Sequence, residues 1–121
     1  MNIDDVLCKN AESVFRNINA FDKALASHGG SRSEFSDGFA KEVAKRYLSG
    51  LVDFYIADCA INALSIWAPL ENSSACTRAI YKAFDEGEYL HQGQEIGTSE
   101  VLYTRPLLRK VMFEFFPNEF R

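Results

Sequence analysis

The side chains able to do chemistry are few in this 121-residue sequence: two histidines, three cysteines and an uneven scatter of carboxylates. His28 stands directly before Gly29-Gly30, where a histidine commonly helps to close a helix C-terminus. His91 lies between Leu90 and Gln92, near Glu88, in a polar stretch that reads as a surface loop. Cys8, Cys59 and Cys76 are odd in number and form no CxxC, so they read as reduced thiols, with a disulfide between two of them left open. Neither histidine sits at a zinc-ligand spacing from a cysteine. The sequence has no Gly-rich phosphate loop, HExxH pair, GxSxG elbow or EF-hand loop. Asp58 and Asn62 are one helical turn apart and share a polar face, but acid–base work there would need a pocket around them. The expectation is therefore a protein with no catalytic, cofactor-binding or metal-binding residues, and not an enzyme.

The chemistry that remains is surface charge. The net charge of −4 is unevenly distributed. Residues 48–104 hold eight acids against the two bases Arg78 and Lys82, a net of −6, whereas residues 105–121 carry +2. A segment so negative repels phosphate backbones, which argues against nucleic-acid binding, and attracts basic protein surfaces. One placement breaks a local rule. Asp85 and Glu86 fall in the last turn of an expected helix, just before Gly87, with Glu88 following. Carboxylates there face the negative end of the helix dipole, at a cost of roughly 0.3–1 kcal/mol each. Lys82, four residues before Glu86, is in the weaker orientation for an intrahelical pair. Either Arg105 or Arg109 folds back to neutralise this group, or the group serves a partner. The candidate partner-binding residues are Asp85, Glu86, Glu88, Tyr89, His91 and Glu95, a tyrosine being a frequent binding hot spot and carboxylates steering a basic partner.

The elements that must carry these residues follow from apolar spacing. Residues 3–27 place Ile3, Val6, Leu7, Val14, Ile18, Phe21 and Leu25 on one helical stripe, with Asn2 as N-cap and Gly29-Gly30 as the stop. A second helix begins near Ser33 or Ser36 and ends at Ser49 before Gly50. Val52, Phe54 and Ile56 alternate like a short strand, but nothing else in the chain would pair with one. A helix capped by Asp53, running to Ala68 and stopped by Pro69, is preferred. A fourth helix spans Ser74 to Glu86, capped by Asn72 or Ser73 and ended by Gly87. Residues 88–98 read as a loop, and a last helix starts after Thr104 with Pro106 in its first turn. The expected fold is all-α, a single-domain bundle of about five helices over residues 1–121. The apolar runs are far shorter than the roughly 20 residues that span a bilayer, and the acidic start Met1-Asn2-Ile3-Asp4-Asp5 is unlike a signal peptide. A cytoplasmic protein with no membrane association is expected.

The pattern Ala83-Phe84-Asp85-Glu86-Gly87-Glu88-Tyr89, followed by Tyr103-Thr104-Arg105-Pro106-Leu107-Leu108, resembles small, acidic, helical bacterial proteins of the immunity type, including those that protect against contact-dependent growth inhibition toxins. The resemblance implies a cytosolic protein that binds one cognate toxin domain, often a nuclease, and blocks it. Immunity proteins share no single signature, so the resemblance assigns no residue a role. The charge pattern is compatible with it, because a nuclease holds phosphates in a basic cleft that an acidic protein can cover. The competing expectation is a helical adaptor or regulatory subunit, for which an exposed apolar patch away from the acidic loop would be the sign.

Overall fold

The computed structural model describes residues 13–88 and 99–119. Among them are five α-helices and no strand, so the chain is an all-α bundle. They are α1 (Ser13–His28), α2 (Arg32–Leu48), α3 (Phe54–Trp67), α4 (Ala75–Glu88) and α5 (Arg105–Phe115). A 3-10 turn, Leu70–Asn72, precedes α4, and a π turn, Glu100–Thr104, leads into α5. No helix of the described residues is long and apolar enough to cross a membrane. The expected start of the first helix, with its Asn2 cap, lies outside the described residues, as do most of the 88–98 loop and Tyr89, His91 and Glu95.

Local chemistry sets the helix ends. Gly29 and Gly30 both adopt positive φ, +79° and +82°, which turns the chain sharply out of α1. The Ser31 hydroxyl then caps α2 by accepting from Glu34 N–H at 3.1 Å, so α2 starts at Arg32, earlier than the serine spacing suggests. Gly50, at φ +82°, closes α2, and Leu51 N–H returns to the Arg46 carbonyl at 2.8 Å. Asp53 accepts from Ile56 N–H at 2.9 Å and starts α3 where expected; the Val52-Phe54-Ile56 alternation is no strand.

Three further boundaries differ from expectation. Ser74, not Asn72 or Ser73, receives Thr77 N–H at the head of α4. At its other end α4 passes through Gly87 to Glu88. The glycine is there because Thr104 and Phe54 press against that point of the helix, where a Cβ would overlap the Thr104 hydroxyl and meet Phe54 at 2.9 Å. Finally, the last helical run begins before Thr104. Pro106 has no N–H, and its ring would crowd the carbonyl of Leu102 in a regular helix. The backbone widens instead, with Arg105 N–H reaching the Glu100 carbonyl across a π turn.

Helix α3 is central, packing against α1, α2 and α4. Its alanines Ala57, Ala60 and Ala63 are fully buried and let its neighbours approach closely. At one end of the core, Phe21, Phe35, Phe39 and Trp67 interlock, with Phe21 centred 4.9 Å from Phe39 and 5.3 Å from Trp67. The Trp67 indole N–H donates to Asp22 at 2.7 Å, and the Arg32 guanidinium lies 4.6 Å over its ring. At the other end Tyr47, Phe54 and Phe84 meet, while Leu108 and Met112 of α5 bury completely against the bundle.

One polar link ties α2 to the head of α4: the Asp37 carboxylate accepts from the hydroxyls of both Ser74 and Thr77. It sits at the positive end of α4 and fixes the cap serine. Asp37→Ala is expected to lower stability by about 1–2 kcal/mol, read by urea denaturation at neutral pH. An unchanged midpoint would show the link to be dispensable.

Candidate functional site

The acidic face forms where α3 and α4 lie side by side. On α3, Tyr55, Asp58, Cys59 and Asn62 follow at i, i+3, i+4 and i+7 and so share one side of the helix. On α4, Asp85 and Glu88 are one turn apart. The two helices meet through the Asn62 side-chain amide, which donates to Glu88 Oε1 at 3.0 Å and to Asp58 Oδ2 at 3.4 Å. Asp53, the α3 cap, adds a further exposed carboxylate at the same end of α3.

These carboxyls are not equivalent. Burial, a hydrogen bond to Glu88 and the charges of Glu88 and Asp85 together push Asp58 up to about 9. Burial also disfavours the Glu88 charge, but hydrogen bonding with Asp58, Asn62 and Asp85 outweighs it and holds Glu88 below the usual carboxylate range. Near neutral pH, Asp58 therefore keeps its proton and donates it to an ionised Glu88. The pair presents one negative charge where the sequence counts two.

No basic side chain of the described residues pairs with Asp58 or Glu88. Arg105 does not fold back on them. It lies 3.5 Å from Glu100 and donates to the Tyr47 hydroxyl at 3.3 Å. Burial, with Glu100 nearby, pushes that tyrosine up to about 12. Arg109 also leaves the cluster alone.

Of the six sequence candidates, the structure brings Asp85 and Glu88 together. Glu86 is half-buried and forms no hydrogen bond or ion pair with the described residues. Tyr89, His91 and Glu95 fall outside the described residues. Sequence reasoning picks out Asp58 and Asn62 but does not join them, or Tyr55, to this site. The signal is there to be read: Asp58 and Asn62 are polar intrusions on the most apolar helix, spaced to share a side.

The face is open. Cavities near α2 and the C-terminal segment, one of about 760 Å³ lined by Lys45, Arg46, Leu48 and Leu51, do not include Asp58 or Glu88. A smaller one beside Arg32 and Ser73 does not either. Among the described residues, no three His, Cys, Asp or Glu side chains converge to hold a metal ion. The arrangement offers a cationic partner fixed acceptors beside an exposed tyrosine ring, Tyr55 being 49% exposed. No family model, curated protein or solved structure matches the chain.

Proposed function

We propose that the protein works by binding, without catalysis, as a cytoplasmic immunity-type inhibitor whose α3–α4 acidic face covers the basic active-site cleft of a cognate toxin domain, a nuclease. The observation that carries this reading is the cluster of Asp58, Asp85 and Glu88 beside exposed Tyr55, with no basic side chain of the described residues on Asp58 or Glu88. Glu88, misplaced for its own helix and joined there by Asp58 and Asn62 rather than by a cation of the described residues, suits a surface completed by another molecule's arginines and lysines.

The test is co-expression with the toxin encoded beside its gene, followed by association kinetics. Asp85→Ala with Glu88→Ala is expected to slow association about tenfold at low salt, with the difference shrinking as salt is raised. Tyr55→Ala is expected to act mainly by speeding dissociation. Unchanged kinetics in both variants would move the interface elsewhere, and failure to bind or protect would remove the toxin reading.

A second reading, a helical adaptor, is favoured by a separate observation. Val101, Leu102 and Phe113 are each more than half exposed.

A further inference from the structure

The outer side of α5 is built as a contact surface. Leu108 and Met112 bury its inner side completely. Opposite them Pro106, Lys110 and Phe113 follow at i, i+4 and i+7, with Arg109 one turn before Phe113. Phe113 is 54% exposed, an aromatic ring standing in water beside two cations. Among the described residues neither Arg109 nor Lys110 has an ion-pair or hydrogen-bond partner. The one acid on this side is Glu114, at its edge. A basic stripe around an exposed ring calls for an acidic surface that also carries apolar area.

The molecule itself displays such a surface. The α3–α4 face combines Asp85 and Glu88 with exposed Tyr55. Part of it lies on α4, which packs directly against α5. We propose that the occupant of the α5 face is a second copy of this chain. Arg109 and Lys110 of one copy face the α3–α4 carboxylates of the other, and Phe113 packs beside Tyr55. A two-fold arrangement uses both faces of both copies and leaves neither open. Self-association would then occupy the face assigned above to a basic partner, so binding of that partner and dimer formation compete. The self-association proposal stands whether or not that partner is a toxin.

Sedimentation equilibrium on the full chain tests this. At about 50 mM salt the chain is expected to form dimers at protein concentrations of tens of micromolar, and at about 500 mM salt the dissociation constant should rise at least about tenfold. The double variant Arg109→Glu with Lys110→Glu is expected to be monomeric, and Phe113→Ser to weaken the dimer by a similar factor. Mixing the Arg109→Glu/Lys110→Glu chain with an Asp85→Lys/Glu88→Lys chain should restore hetero-association through the reversed pairs. A chain that stays monomeric at low salt overturns the proposal. So does a dimer indifferent to all three of these substitutions. Binding of the monomer to vesicles rich in anionic lipid, lost in Arg109→Glu/Lys110→Glu, would assign the face to a membrane surface and also overturn it.

Discussion

Gly87→Ala is expected to destabilise the protein by about 2–3 kcal/mol, although helix propensity alone argues for a gain of about 1 kcal/mol at an interior helical site. The opposition of signs makes the measurement decisive. The added methyl would overlap the Thr104 hydroxyl and touch the edge of Phe54. Neither neighbour has room to yield. Thr104 is fully buried and donates to the Ala83 carbonyl at 2.8 Å, one turn back along α4. Phe54 packs against Tyr47 and Phe84. Relief must come from separating α4 from the π turn, which also shifts Asp85 and Glu88 on either side of Gly87. Urea denaturation gives the stability change. A stability equal to or above wild type would mean that this contact is looser than the structure has it, and that propensity decides.

The same glycine shows why the sequence is legible in some places and not in others. Gly29, Gly30 and Gly50 read as helix stops and act as stops, because each takes positive φ at a chain reversal. Gly87 looks identical in the string of letters, but its role is set by Thr104, seventeen residues on, and by Phe54, on another helix. Local pattern carries no trace of such a contact. The ends of α3 are readable because both are local: a carboxylate on the third amide after it and a proline beyond the last turn. The start of the last helical run escapes the sequence reading because Pro106 looks like a first-turn residue, whereas the chain accommodates it inside a longer run by widening one turn.

The acidic site divides in the same way. Asp85 and Glu88 are conspicuous because they oppose the α4 dipole, a fact of one helix. The groups that reconcile them to that position are not conspicuous. Asn62 lies 26 residues from Glu88 and reaches it only because buried alanines bring α3 close to its neighbours. Charge-assisted hydrogen bonds from Asn62 and from protonated Asp58 offset a dipole penalty of roughly 0.3–1 kcal/mol per carboxylate. The misplacement is thus a sign of a tertiary arrangement whose other half is on α3.

That arrangement makes stability depend on pH in an unusual direction for a carboxyl group. Asp58 binds its proton more tightly folded than unfolded, its folded value being about 9 against 3.8 for the free side chain. Its stabilisation is fully present below the unfolded value. It is lost progressively as pH rises from about 4 to about 9, since the unfolded chain gives up this proton first. Glu88 works oppositely: with its folded value held low, its stabilisation is present above its unfolded value and lost as pH falls through the folded one. Between about pH 5 and 9, where Glu88 is ionised in both states, Asp58 sets the contribution of this pair to the slope. A carboxyl protonated in the folded state and ionised in the unfolded one loses about 1.4 kcal/mol per pH unit across the window between its two values, and partial exposure narrows that window. Asp58→Asn keeps a hydrogen-bond donor for Glu88 and removes the titration. Its stability profile is expected to run flatter than wild type from about pH 5 to 9, crossing it so that the variant is the more stable protein at the upper end by about 2 kcal/mol. Urea midpoints at about pH 5, 7 and 9 for the two proteins check this. Parallel profiles would mean that Asp58 is ionised at neutral pH, so that the face carries the full charge its sequence implies.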